Sequence, residues 1–270
     1  MRSILLHVGD DACMEARLQV ALDLAREFGA HIACLQPISF DFAVPGDLYG
    51  TMVAELVPVI QENADKFREQ TCARLANEDV TWDWRQEEGP ARALLMRAEA
   101  LADLVVLGAH DPEGGKGPSS LAGYMAIHGR APLLVVPESA RSFNAGGAAV
   151  VGWNGSLEAG RALRGAVPLL RRAKSVTLAN VTEQPNDAGA LLPPVEGAEY
   201  LSRHGIGCEI VEVERGGQPV AQALTRAAAV RGAAFIAIGA YGHSRAIETV
   251  FGGVTRELFS DPALPIFTAH

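Results

Sequence analysis

The chain repeats itself. Gly108-Ala109-His110-Asp111 reappears as Gly239-Ala240-Tyr241-Gly242, 131 residues further on. Ala131-Pro132-Leu133 reappears as Leu264-Pro265-Ile266, with Pro132 and Pro265 offset by 133, so the first copy's loop is two residues shorter. A period this long is not that of a solenoid, whose units run to about 50 residues. The expectation is two homologous domains, residues 1–138 and 147–270, joined by a Ser-, Arg-, Asn- and Gly-bearing linker over Ser139–Gly147.

Each copy alternates strand and helix signals. In the first, Ile4–Val8, His31–Ile38, Val80–Gln86, Leu104–Leu107 and Leu133–Val136 read as strands. Between them, Met14, Leu18, Ala21, Leu22, Ala25 and Phe28 recur at helical spacing before Gly29. A long helical pattern covers Thr51–Ala76, where Pro58 predicts a kink or a broken start. Pro90 opens a third helix, and a fourth surrounds Leu121–His128. The second copy runs Ala148–Gly152, a helix Leu157–Arg172 capped by Ser156, Val176–Val181, a short helix Val195–His204, Cys208–Val213, a helix Pro219–Arg231, Phe235–Ile238, a helix Val254–Ser260 and Ile266–Ala269. Strands alternating with helices predict parallel sheets covered on both faces.

The most informative stretch is Phe235–Thr255. A short apolar run, Phe235-Ile236-Ala237-Ile238, has the look of a buried parallel strand and ends in Gly239. Gly239 and Gly242 form a G-x-x-G, and nine residues later Gly252-Gly253 open the last helix, followed by Val254 and Thr255. Glycines let a ligand approach the backbone, and bare N–H groups at a helix N-terminus attract anions. Two glycine turns on one crevice suit a phosphate chain; tight turns packed on a sheet explain the same residues.

This G-x-x-G, nine residues, Gly-plus-small pattern resembles the nucleotide-binding signature of the universal stress protein family, and the likeness extends over both copies. That resemblance implies an α/β fold of two tandem doubly wound sandwiches with five-stranded, mostly parallel sheets, Rossmann-like and akin to adenine-nucleotide α-hydrolases. Carried onto the second copy, it implies an adenine site. Asn154 stands where the family has an acidic residue, flanked by Gly152 and Trp153. Val181 forms the adenine wall, Ile238 and Gly239 lie under the sugar, and Gly242, Gly252, Gly253, Val254 and Thr255 meet the phosphates. The family's signature closes with Gly-Ser or Gly-Thr, so Gly253 removes a hydroxyl and keeps an N–H. A plain turn and helix cap also accounts for Asn154-Gly155-Ser156, and ordinary core packing accounts for Val181 and Ile238.

The first copy departs further. Gly9 replaces the acidic residue, Asp111 the second glycine, and Pro118-Ser119-Ser120 the closing glycines. A carboxylate facing a phosphate costs on the order of several kcal/mol at an effective dielectric of ~20, so nucleotide is expected in the second domain only.

Other classes find little support. The net charge of −9 is the wrong sign for a nucleic-acid footprint or an anionic membrane surface. Cys13, Cys34, Cys72 and Cys208 are scattered, with no C-x-x-C. No G-x-S-x-G elbow or metal-ligand spacing is present, although His110 and Asp111 adjoin at a strand end, His128 follows on the next helix, and Arg245 follows the glycine turn. No signal-peptide or membrane-length apolar run occurs, so the cytoplasm is the expected location. Trp82 and Trp84 share one strand face, as core or pocket wall, and the loop 37–50 with the helix after it has the length of a lid over the first site.

Two functions follow. One is a stress-response protein that binds ATP or a related adenine nucleotide, with or without Mg, in its second domain, with at most slow hydrolysis and no dedicated catalysis. The other is a signalling or interaction module of the same fold that binds no nucleotide. In either case the resemblance, to a family whose separate domains pair through their last strands, implies that Leu133–Val136 pairs with Ile266–Ala269, which also covers two sheet edges, and the whole chain has the option of forming a homodimer.

Overall fold

The computed structural model describes residues 1–40, 51–111, 118–182, 195–240 and 253–270. The first half contains β1 (Ser3–His7), α1 (Met14–Phe28), β2 (His31–Ile38), α2 (Thr51–Leu75), β3 (Thr81–Glu88), α3 (Ala91–Ala98), β4 (Leu104–Gly108), α4 (Ser120–His128) and β5 (Leu133–Val136). The second contains β6 (Ala148–Gly152), α5 (Leu157–Leu170), β7 (Ser175–Thr182), α6 (Glu196–Arg203), β8 (Glu209–Glu214), α7 (Val220–Arg231), β9 (Ala233–Gly239), α8 (Gly253–Ser260) and β10 (Ile266–Ala269).

The five strands of each half join through the expected β5–β10 pairing into one ten-stranded sheet, in the order β3-β2-β1-β4-β5-β10-β9-β6-β7-β8. Each half has the doubly wound order, and the order of the second mirrors that of the first. The only antiparallel pairing among the described strands is the one that joins the halves, with Ile266 opposite Val135, Phe267 opposite Leu134 and Thr268 opposite Leu133. The two short strands are fully buried, so pairing them removes two apolar edges that would otherwise template association.

Side-chain alternation divides the core between the two faces. Ile4 and Leu6 pack with α1 on one face, and Leu5 packs with α3 and α4 on the other. In the second half α5 and α6 cover the first face, and α7 and α8 the second. Both faces of the central strands are therefore dry, which is why they read as continuous apolar runs.

Two expectations change, at Pro58 and in the segment 139–147, and the tryptophan pair takes the core reading. The helix α2 passes through Pro58 without a break. Beyond the proline it is held by tertiary contacts: Gln36 Nε2 donates to the Ala64 carbonyl at 3.0 Å, and Phe67 meets Trp84 with ring centroids 6.2 Å apart. Trp82 and Trp84 are both half-buried against this core, with their indole N–H groups donating to the Leu75 carbonyl and to Gln36 Oε1. The segment 139–147 is not a free linker. Phe143 is buried against Phe235, with centroids 5.8 Å apart, and its N–H donates to Asp23 on α1 at 2.7 Å.

Candidate functional site

In each half the strand order reverses between the first and fourth strands, β1/β4 and β6/β9, leaving a crevice beyond their C-terminal ends. In the second half this crevice has a volume of about 270 Å³.

Its centre is the turn from β6 into α5. Trp153 N–H donates to the Ala179 carbonyl at 2.9 Å, which continues the pairing with β7 beyond the strand. The Trp153 ring is buried because α6 offers it a glycine: a methyl group on Gly197 would lie 2.7 Å from the indole. The Asn154 side-chain carbonyl accepts from Ser156 N–H at 3.1 Å, and Gly155 takes φ of 75°. Ser156 Oγ then caps α5 by accepting from Ala159 N–H at 3.2 Å. The side-chain oxygen of Asn154 is thus engaged in the turn, leaving its NH2 as the group that can face a ligand.

The end of β9 lies directly under this helix start. A methyl group on Gly239 would come within 2.4 Å of the Glu158 carbonyl carbon and 2.6 Å of Ala159 N. Only glycine allows that approach. On the far side α8 begins at Gly253, beside which an added methyl would meet none of the described residues within 4 Å. The first turn of α8 has no acidic residue of its own, which suits a helix N-terminus that meets an anion.

Of the residues singled out in the sequence, Gly152, Trp153, Asn154, Val181, Ile238, Gly239, Gly253, Val254 and Thr255 all line this one cavity. Gly242 and Gly252, together with Arg245, lie outside the described residues. The sequence reading missed Glu158, Ala159 and Ala179, and also Val220 and Leu224, which α7 contributes. Helical periodicity marks α7 as amphipathic, but nothing local says that its first turns reach this cavity.

In the first half, described side chains occupy the corresponding place beneath the strand ends. Arg17 on α1 is 1% exposed and Asp11 4%, and the two form a bidentate pair at 2.5 and 2.6 Å. Arg17 Nε also donates to the His7 carbonyl at 2.7 Å and Nη2 to the Gly9 carbonyl at 3.2 Å. Asp111 takes the α4 N-terminus for itself, accepting from Ser119 Oγ at 2.5 Å and Ser120 N–H at 2.8 Å. Burial raises the pKa of this carboxyl, but these hydrogen bonds, with one from Leu121 N–H, outweigh it and hold the group below its ordinary range. His7 is buried in the same place. Desolvation, then the Arg17 charge, lower its pKa to about 3, with Asp111 opposing. Asp111 was expected to act by repelling a phosphate; in the fold it occupies the anion position.

The universal stress protein family model matches residues 1–137, half of the chain. The chain belongs to the universal stress protein family. Among solved structures, a universal stress protein from Archaeoglobus fulgidus DSM 4304 aligns over 99% of this chain and 95% of its own, at 13% identity with a TM-score of 0.74. A functionally unknown protein from Pseudomonas aeruginosa PAO1 aligns over 100% of this chain and 92% of its own, at 14% identity with a TM-score of 0.60. Both share the two-halved fold along their whole length. A search of the curated proteins finds no match. Among the described residues, no helix of this universal stress protein is long and apolar enough to cross a membrane, and no cluster of three His, Cys, Asp or Glu side chains is placed to hold a metal.

Proposed function

We propose that this universal stress protein is a tandem of two domains, residues 1–138 and 147–270, of which the second binds an adenine nucleotide, ATP or a relative, with at most slow hydrolysis. The observation that carries the reading is the contrast at two equivalent helix starts. The α4 N-terminus is capped by Ser119 and Asp111, whereas α8 opens on a cavity with a glycine and no acidic side chain in its first turn. The remaining lining suits the other parts of a nucleotide: Val181, Ala179 and Leu224 offer an apolar wall, and the Asn154 amide and Glu158 are polar groups near the strand ends.

A second reading, an interaction module without nucleotide, is favoured by one feature: no lysine or arginine is among the described residues of the lining. Within that described lining, phosphate affinity would rest on backbone N–H groups.

The two readings separate in one experiment. Mass spectrometry of the denatured native protein, followed by calorimetric titration of the full chain with ATP, should find adenine nucleotide and one site per chain. Two equivalent sites would refute the asymmetry. No detectable binding at millimolar ATP would favour the interaction module.

A further inference from the structure

We infer that Glu158 is the sugar-reading residue of the second crevice and makes the site selective for a ribose bearing its 2′-hydroxyl. The inference rests on the nucleotide reading above and names a residue that neither the glycine signature nor its spacing includes.

Glu158 is the second residue of α5, is only partly exposed and lines the cavity. Among the described residues it has no ion-pair or hydrogen-bond partner. A partly buried carboxylate without a cation is unfavourable unless something offsets it, and the α5 N-terminus does so only in part. The group is held in place, because Gly239 packs against the Glu158 and Ala159 backbone. The strand order fixes where that is. Across the C-terminal ends run β7 with the apolar Ala179 and Val181, then β6, then β9 with Glu158 above it, and α8 follows β9. The carboxylate therefore stands between an apolar wall suited to a base and an N-terminus suited to phosphate.

An ionised carboxylate only accepts hydrogen bonds. Phosphate oxygens at neutral pH have nothing to donate to it, and they repel it. A vicinal diol donates two O–H groups, one to each carboxylate oxygen, and in a nucleotide the ribose lies between base and phosphates. The Asn154 NH2, left free by the turn, supplies a donor beside it.

The test is calorimetric titration of the full chain and its E158Q and E158A variants with adenosine, 2′-deoxyadenosine, inosine and ATP. The wild-type protein should bind adenosine about tenfold or more tightly than 2′-deoxyadenosine, as loss of a hydrogen bond to a charged acceptor implies. E158A should bring that ratio to within about twofold, and E158Q, which keeps one acceptor oxygen and nearly the same shape, should weaken ATP. Equal binding of the two nucleosides by the wild type, or undiminished discrimination by E158A, overturns the assignment. Tighter ATP binding by E158Q overturns it too, because the carboxylate would then face phosphate. A loss confined to adenosine against inosine would place Glu158 on the exocyclic amine of the base instead. If the wild type binds neither nucleosides nor ATP, the nucleotide reading itself falls, and this inference with it.

Discussion

In the register that sets Gly9 against Asn154, Arg17 on α1 is the counterpart of Ala162 on α5. The same contrast recurs around both crevices of this protein. In the first half a long cation reaches back under the strand ends, satisfied by Asp11 and two backbone carbonyls. In the second half α5 places the short, buried Ala162 there, with Ala159 before it, and a cavity remains. A duplicated fold thus tolerates opposite solutions at one point. The crevice can hold a buried, hydrogen-bonded ion pair, or be left open at the cost of unfilled volume. The closed version has taken over both groups a ligand would bring, with Asp111 as the anion and the Arg17 side chain as the filler.

Breaking the closed crevice should produce the largest effect. Arg17→Ala leaves Asp11 buried without its partner, and such a loss costs about 3–5 kcal/mol. Urea unfolding should show it as a lower midpoint, and a change below about 1 kcal/mol would mean that the pair does not hold the first half together.

The pH dependence should come from the same crevice. His7 has its folded pKa depressed from 6.5 to about 3, so the folded state favours the neutral ring. Its contribution to stability is fully present above pH 6.5 and is lost as the pH falls toward 3. One such group gives a slope of roughly 1 kcal/mol per pH unit within that window. Urea titrations from pH 7 to 4 should show the slope in the wild type and a shallower one in His7→Gln. Equal slopes would place the titration elsewhere.

Transferring the closed solution to the open site sharpens the comparison further. By the repeat, Gly242 is the counterpart of Asp111. Gly242→Asp should weaken ATP by about 10- to 100-fold and adenosine by far less, since the added charge acts on phosphate. An unchanged ATP affinity in a folded variant would remove the phosphates from that loop.

The smallest expected effect is the reverse change. Gly253→Ser adds a hydroxyl at the start of α8, where a Cβ meets none of the described residues within 4 Å. It should tighten ATP by about 0.5–1.5 kcal/mol, the worth of an ordinary hydrogen bond.

Much of this architecture was legible before any fold was known. The β-α alternation, the repeat and the five strands of each half are written in short-range signals: apolar runs ended by glycine, and helical spacing bounded by caps. The pairing of β5 with β10 was also within reach through the family resemblance, which implies pairing by the last strand of each copy. The strand β3 was placed a residue or two off, at Thr81–Glu88, because a half-buried edge strand has a weak boundary.

The sequence by itself determined the element order, the duplication and the glycines on which a ligand backbone can rest, because each is a property of neighbouring residues. Only the tertiary structure decided what fills each crevice. Arg17 reads locally as a solvated helix residue, and Asp111 as a charge opposing phosphate. Their burial and pairing depend on His7, Gly9, Asp11 and Ser119, brought together by the sheet. Glu158 likewise looks like a first-turn surface acid until β9 comes up beneath it through Gly239. Hydrogen bonding and desolvation act over a few ångströms of space, and the distance along the chain carries no record of which groups will share it.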